Sequence, residues 1–181
     1  VVLSGSTITQ GDSQLRADKV RELYNFLGEG IKIVVISDGV DNMAKAIATG
    51  DLPSNITVLS NQIGGDEGTA MLEIIYDIAP KAKLYFHDHG KNMLAFNAAA
   101  TALADAGCKI IVDDIGWLES PFFEDGIIAN HFNNLFRQRD ILFISAAGNS
   151  GNSHYQGMFK SDPRGNYHDF SGGTSADKNI Y

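Results

Sequence analysis

The sequence predicts an α/β fold with three layers, in which helices cover both faces of a mainly parallel sheet. Predominantly apolar runs without regular alternation occur at 31–37, 109–112 and 141–146, which is typical of strands that are buried on both faces. Stretches with helical spacing separate these runs, and such alternation favours parallel strands joined by right-handed crossovers. The 181 residues are enough for one domain with a full core.

The first 60 residues are predicted to contain two helices and two strands. Apolar residues fall at helical spacing in 13–26, and Gly28 ends that helix before the strand at 31–37. A short helix is predicted at 42–49, where a glycine again follows the last turn. Residues 56–59 form a short strand after a turn that contains a proline.

The rest of the chain continues the same alternation. A glycine-rich stretch opens a helix that runs to Ile78, and an Ala-Pro pair ends it. The strand at 83–87 follows, and an alanine-rich helix at 95–106 leads to the strand at 109–112. A helix at 127–137 and a buried strand at 141–146 complete the pattern.

These elements are interpreted as one domain with a polar segment at each end. Residues 1–14 are polar and are predicted to be an N-terminal arm. Residues 15–155 carry the strands and are predicted to be the core. Residues 156–181 are rich in Gly, Ser, Asn and Asp and have little periodicity, so we expect a loop-rich and truncated edge of the same domain.

The composition excludes several classes of protein. The net charge is −8 and there is no basic stripe, so we do not expect a nucleic-acid partner. No apolar run reaches the roughly 18 residues that a membrane span requires. Cys108 is the only cysteine, which excludes an intrachain disulfide and a cysteine metal cluster. The composition does not indicate an oligomeric state.

Carboxylates and an amide follow the predicted strands where each strand ends. Asp38 follows the first buried strand, Asp113 and Asp114 end a later one, and Asn149 follows the last. Glu67 stands at the start of a helix, where a carboxylate is stabilised by the free N–H groups. Each residue alone could be a cap or a solvated acid. If they lie in one crevice, their mutual repulsion raises at least one pKa, and such a group serves as a general acid or base.

Four blocks of this sequence resemble, in the same order, those of the subtilisin-like serine peptidases. The blocks are Ser-Asp-Gly at Asp38, Glu-Gly-Thr at Glu67, Asp-Asp-Ile-Gly at Asp114 and Ala-Ala-Gly-Asn at Asn149. The resemblance covers about residues 28–155 and implies the subtilisin-like version of the α/β/α fold. It is closest to a divergent branch that shares a feature with the sedolisins, in which a glutamate does the work of the catalytic histidine.

The resemblance implies a role for each of these residues. Asp38 corresponds to the aspartate of the catalytic triad, Glu67 to the base, and Asn149 to the donor that stabilises the oxyanion. Asp114 stands where the family has a serine on the substrate-binding edge. Sedolisins orient their glutamate with an aspartate one turn further along the helix, but this chain has Met71 there. Asp38 or Asp114 therefore has to orient Glu67, and two such carboxyls can share one proton.

The nucleophile is the part of the pattern that the sequence leaves open. The letters Gly-Gly-Thr-Ser-Ala at Ser175 match a sedolisin-like serine block, but the residues that follow do not read as a buried helix. The other interpretation is that the catalytic serine lies beyond Tyr181. We expect the second, in which case this segment alone does not hydrolyse peptides.

Three functions are compatible with this sequence. The first is a serine endopeptidase, secreted or on a bacterial cell surface, that acts on peptides or proteins and requires no cofactor. The second is a pseudopeptidase that binds peptides without cleaving them. The third is a receiver-like domain in which Asp38, Asp113 and Asp114 hold Mg²⁺ for phosphoryl transfer.

Other notable residues give weaker signals. His87 and His89 flank an aspartate at a strand end, but we expect no metal site there. The loop at 162–169 could hold a structural calcium ion, although its spacing matches no defined motif. The aromatic residues after the fourth strand either line a peptide cleft or close the end of the sheet; they are Trp117, Phe122 and Phe123.

Overall fold

The computed structural model describes residues 5, 7–121, 123–153, 157–165 and 167–170. The chain divides into two compact units, Val1–Ala147 and Gly148–Tyr181. Among the described residues, no helix has both the length and the apolar character that are needed to cross a membrane.

The first unit is built on a parallel sheet of five strands within the described residues. The strands are β1 (Lys32–Ser37), β2 (Thr57–Ser60), β3 (Lys83–Asp88), β4 (Ile110–Asp113) and β5 (Leu142–Ser145). Their order in the sheet is β2-β3-β1-β4-β5, so the strand that carries Asp38 at its end is central. Because every pair is parallel, all five carboxyl ends lie at one edge of the sheet.

Six helices are described in this unit, and the last four of them cover the two faces of the sheet. The six are α1 (Gln10–Gln14), α2 (Ala17–Tyr24), α3 (Met43–Thr49), α4 (Glu67–Ile78), α5 (Met93–Asp105) and α6 (Ile127–Arg139). One core cluster joins α3 and α4 to the sheet, and the other joins α5 and α6 to its opposite face. The three-layer α/β/α fold predicted from the sequence is therefore confirmed.

The central strand explains why its sequence shows no alternation. Val34 and Ile36 pack into the α5–α6 cluster, whereas Ile33 and Val35 pack into the α3–α4 cluster. All four side chains are buried, and burying an aliphatic side chain of this size contributes about 1.5–3 kcal/mol. A strand with helices on both faces therefore needs apolar residues at successive positions.

The prediction of a buried last strand is wrong. Strand β5 forms one edge of the described sheet, and its residues Leu142 and Ile144 are 50% and 47% exposed. Phe143 points to the other face, where it stacks on Phe132 of α6 at a centroid distance of 3.6 Å. Helix α6 therefore covers only one face of β5. The apolar run at 141–146 predicted burial on both faces, which the inner strands have and β5 does not.

The N-terminal segment is more ordered than the predicted polar arm. It contains the short helix α1, and Arg16 in a left-handed conformation separates α1 from α2. The guanidinium of Arg21 pairs with both oxygens of the buried Asp12 carboxylate and also donates to the carbonyl of Ile78 at 3.0 Å. These bonds attach the segment to the C-terminal end of α4.

In the second unit, the described residues include a small antiparallel hairpin. Ser161 and His168 form its bridge. The N–H of Asp162 donates to the carbonyl of Tyr167 at 2.8 Å, and the N–H of Asp169 donates to the carbonyl of Lys160 at 2.7 Å. Calcium binding by this loop stays a prediction.

Candidate functional site

The Asp38 carboxylate caps the first turn of α4. Its Oδ1 atom accepts hydrogen bonds from the backbone N–H groups of Glu67 at 3.0 Å and of Gly68 at 3.3 Å. The N–H of Gly39 donates to the same oxygen. A carboxylate at this position satisfies N–H groups that have no partner within the helix and interacts favourably with the helix dipole. Asp38 thus fixes the backbone of Glu67 and, with it, the point from which the Glu67 side chain extends.

This close approach depends on glycines at the contact between β1 and α4. A Cβ atom on Gly39 would lie 2.6 Å from the backbone of Gly64 and Gly65, and one on Gly68 would lie 2.6 Å from the carbonyl oxygen of Gly39. Side chains at these two positions would push α4 away from the strand. The glycines therefore allow the end of β1 to reach the N-terminus of the helix.

The Asp114 carboxylate is tied to the end of β1 by Ser37. The Ser37 hydroxyl, which is fully buried, donates to Asp114 Oδ2 at 3.0 Å and lies 3.5 Å from Asp38 Oδ1. This contact follows from the register, because Ile36 pairs with Asp113 and the next residues of the two strands are then neighbours. Ser37 therefore belongs to the site although the sequence pattern did not single it out. The signal was present, since Ser37 is the one uncharged polar residue of β1.

Glu67 lies beside Asp114. Its side chain is within hydrogen-bonding reach of the Asp114 carboxyl, and the negative charge of Asp114 is the main cause that raises the pKa of Glu67. Burial and the charge of Asp38 raise that pKa further. The Glu67 side chain itself is exposed at the mouth of the site. Of the two aspartates that could orient Glu67, Asp114 is thus the one that contacts its carboxyl, whereas Asp38 binds its backbone.

Asp113 is the buried acid of the group. Only 2% of it is exposed, and burial raises the pKa of its carboxyl to about 6. The N–H of Ile115, which donates to Oδ1 at 2.9 Å, and the nearby Ser145 hydroxyl oppose this rise. Oδ2 has no hydrogen-bond partner among the described residues. Asp113 is therefore still protonated in mildly acidic solution, where an ordinary aspartate is ionised.

The end of β3 contributes a further carboxylate that supports the site. Asp88 is buried, and it accepts hydrogen bonds from the Ser60 hydroxyl and from the N–H groups of Gln62 at 2.7 Å and Gly90 at 3.0 Å. Although burial opposes the effect, these donors lower the pKa of Asp88. The residue ties the loop after β2 to the sheet, and that loop continues to Gly65 beside Asp38. The sequence pattern presented Asp88 only as the residue between two histidines.

The other predicted site residues are an amide, a hydroxyl and aromatic side chains. Asn149 is exposed and belongs to the second unit, and Ser175 and Phe122 are outside the described residues. Trp117 packs against Phe96, with their ring centroids 5.9 Å apart. Within the described ranges, no group of three His, Cys, Asp or Glu side chains is placed to hold a metal ion.

The contact between Glu67 and Asp114 predicts a measurable titration. We expect the carboxyl carbon of Glu67, followed by ¹³C NMR, to titrate above its ordinary value of 4.5. In an Asp114→Asn variant the pKa of Glu67 should fall, because the largest cause of the rise is removed. Glu73, which lies further along the same helix, provides a control whose titration this variant should leave unchanged. An unaltered Glu67 titration in Asp114→Asn would contradict the contact.

The fold is similar to that of solved proteases. The prenylagaramide maturation protease PagA is 20% identical, with a TM-score of 0.56, and the match covers 75% of this chain and 51% of that one. MycP1 without its N-terminal propeptide is 14% identical, with a TM-score of 0.55 and coverages of 84% and 52%. The self-cleaved protease domain of PatA is 24% identical, with a TM-score of 0.54 and coverages of 69% and 52%.

These matches concern the fold alone. At such low identity they show that the chain has the α/β architecture of these proteases, in agreement with the subtilisin-like fold that the sequence blocks imply. The chain spans about half the length of the solved chains that it matches. No protein-family model and no curated protein matches the sequence.

Proposed function

We propose that this chain is the core of a serine-type endopeptidase in which Glu67 is the general base. In this proposal Asp114 orients the Glu67 carboxyl, Asp38 fixes the helix end that carries it, and Asn149 stabilises the oxyanion. The observation that carries the proposal is the contact between the Glu67 and Asp114 carboxyls at the carboxyl edge of a protease-like sheet.

The raised pKa of Glu67 supports its role as a base. A carboxylate with an ordinary pKa is a weak base near neutrality, and a higher pKa brings its proton affinity closer to what proton transfer requires. The charge of Asp114 is the largest cause of this increase, and burial and the charge of Asp38 add to it. One oxygen of Asp114, Oδ1, is enclosed and has no hydrogen-bond donor among the described residues. A proton shared between the two carboxyls would supply that donor.

The proposed reaction is acyl transfer to a serine hydroxyl. As the serine Oγ bonds to the carbonyl carbon of the substrate, its proton passes to the Glu67 carboxylate. The tetrahedral intermediate expels the amine, which takes that proton, and an ester to the serine remains. A water molecule then loses a proton to Glu67 and attacks the ester. The serine recovers the proton as the acid leaves.

The serine is either Ser175 or a residue beyond Tyr181. Ser37 is not a candidate, because its side chain is fully buried and its hydroxyl donates to Asp114. The substrates we propose are peptides or proteins, the site of action is outside a bacterial cell, and no cofactor takes part.

The proposal predicts that Glu67→Gln loses activity. In the full protein that carries these residues, hydrolysis of internally quenched peptides should fall about 100-fold or more, since the amide does not accept the serine proton. Glu73→Gln, a change on the same helix away from the carboxyl group, should retain activity. A fluorophosphonate probe followed by peptide mapping then identifies the reactive serine. Undiminished hydrolysis by Glu67→Gln would refute the role of Glu67.

A peptide-binding module without catalysis is the second candidate. The observation in its favour is that the serine hydroxyl that donates to Asp114, the proposed partner of Glu67, is the buried one of Ser37. In this case the full protein would bind peptides, for example in fluorescence polarisation, but would neither cleave them nor react with the probe. A magnesium site is less suitable here, because three backbone N–H groups already donate to Asp38 Oδ1.

A further inference from the structure

We propose that Asp113 is a positioning residue, which holds Asp114 against Glu67 through the turn that its own side chain closes. The inference rests on the proposed function, since it assigns a support to the pair that would carry the proton. Asp113 itself does not contact the substrate in this proposal.

The turn begins where β4 ends. Asp113 Oδ1 accepts a hydrogen bond from the N–H of Ile115, two residues further on, at 2.9 Å. An aspartate that bonds to the backbone in this way forms an Asx turn, which redirects the chain much as a backbone turn does. Asp114 is the residue inside this turn, so the bond sets the direction in which Asp114 leaves the strand.

The anchor of the turn is held on both sides by the sheet. Asp113 pairs with Ile36 of β1 and with Ser145 of β5. Its carbonyl oxygen accepts from the N–H of Ala146 at 3.0 Å. These contacts all involve the backbone of Asp113. A substitution of its side chain can therefore remove the hydrogen bond to Ile115 and leave the strand contacts in place.

On the other side of the turn, Asp114 has two partners that require a defined orientation. One oxygen accepts from the Ser37 hydroxyl at 3.0 Å, and the carboxyl contacts Glu67. Loss of the turn would allow Asp114 to rotate toward solvent, because it is only partly buried. The charge that raises the pKa of Glu67 would then be further away and better screened.

Asp113 could affect the pKa of Glu67 in two ways, through the turn that it closes and through its own charge. The charged groups around Glu67 and Asp114 allow the two effects to be separated. Among the described residues, the other ionisable groups at the ends of β1, β3 and β4 and at the start of α4 include Asp38, Asp41, Asp66, His87, Asp88, His89 and Asp113. The causes that raise the pKa of Glu67 are the Asp114 carboxyl, burial and Asp38; the charge of Asp113 is not one of them. Removing the Asp113 charge by itself should therefore change the Glu67 titration little.

Two variants of Asp113 test the inference. Asp113→Asn retains the oxygen that accepts from Ile115, whereas Asp113→Ala removes it, and both lack the charge. We measure the ¹³C titration of the Glu67 carboxyl in both, after checking each fold by its ¹H–¹⁵N spectrum. Asp113→Asn should keep the raised pKa of Glu67, and Asp113→Ala should return it toward the ordinary value of 4.5.

Either of two results would overturn the inference. If Asp113→Ala titrates like the wild type, Asp114 is held without the turn. If Asp113→Asn titrates like Asp113→Ala, the acceptor oxygen is not what positions the pair. Should the alanine variant fail to fold, Asp113→Ser takes its place, because its hydroxyl accepts from the same N–H more weakly. An intermediate pKa of Glu67 is expected there, and a wild-type pKa would again contradict the inference.

Kinetics of the full protein separate this inference from the proposed function. If Glu67 is the base, Asp113→Ala should lower kcat about tenfold or more with little change in KM, and Asp113→Asn should restore kcat. If Glu67→Gln retains activity while the Asp113 variants alter the Glu67 titration as described, the proposed function fails and the positioning role remains. If the titration is unaltered, the positioning role fails whatever the activity.

Discussion

The Gly65→Ala variant is expected to be destabilised by about 3 kcal/mol or more, as measured by chemical denaturation. Gly65 has a φ of +126°, which side chains rarely adopt, and a methyl group there would overlap the Asp38 carboxylate. The backbone strain and the overlap act together. The carboxylate cannot move aside without losing its bonds to the N–H groups of Glu67 and Gly68, so the N-terminus of α4 should be disrupted as well.

The neighbouring glycine provides a matched control. Gly64 also has a positive φ, +80°, but a Cβ there would meet only Asp41 Oδ2, at an ordinary 3.5 Å. Gly64→Ala should therefore lower the free energy of unfolding by about 1–2 kcal/mol, which is the effect of the backbone strain alone. Equal destabilisation of the two variants would show that the approach of Gly65 to Asp38 is not tight. A larger loss at Gly65 is the expected result, because its φ and its overlap with Asp38 both disfavour a side chain.

Most strands and helices of the first unit could be predicted because each has a strong local signal. The exception is the predicted helix at 13–26, which is interrupted at Arg16 and replaced by α1 and α2. Helix α4 begins at Glu67 and ends at Ile78, as its glycine-rich start and Ala-Pro end indicate. The central strand was recognisable from its unbroken apolar run. The sequence of a strand does not reveal its position in the sheet, however. The edge position of β5 depends on what packs beside it. The sequence pattern therefore overestimated the burial of Ile144, which is 47% exposed.

The candidate site was predictable as a location but not as a set of contacts. Parallel strands bring their carboxyl ends to one edge, so the proximity of Asp38 and Asp114 follows from the fold. Which of them would face the Glu67 carboxyl depended on side-chain directions at a helix start, and no sequence pattern determines these. The bridging hydroxyl of Ser37 and the turn at Asp113 likewise depend on strand register, which appears only when the strands are paired.

Asp38 and Asp114 have different surroundings, and this explains why we propose different roles for them. Three backbone N–H groups donate to Asp38 Oδ1, and these bonds hold the carboxylate at the start of the helix. Asp114 instead faces another carboxyl, where two negative charges are unfavourable and a shared proton is favoured. In the proposed enzyme, the first environment anchors the helix, and the second holds the serine proton between its removal and its transfer to the amine.

Burial of the Asp113 carboxyl should make the stability of the chain depend on pH. Its pKa is about 6 in the folded chain against an ordinary 3.8, so folding favours the protonated form. The stabilisation is fully present below about pH 4 and is lost as the pH rises toward and beyond 6. At about 1.4 kcal/mol for each pH unit between the two pKa values, the loss is about 3 kcal/mol.

The Asp113→Asn variant isolates this effect, because its side chain does not titrate. We expect its free energy of unfolding, measured by urea denaturation, to gain about 3 kcal/mol relative to the wild type between about pH 3.5 and 7.5. Taking the difference cancels the titration of the other carboxyls. For Asp125→Asn, which changes an exposed side chain, the difference should stay within about 0.5 kcal/mol. A flat difference for Asp113→Asn as well would mean that the ionised Asp113 is solvated in the folded chain, and the buried acid would then impose no cost at neutral pH.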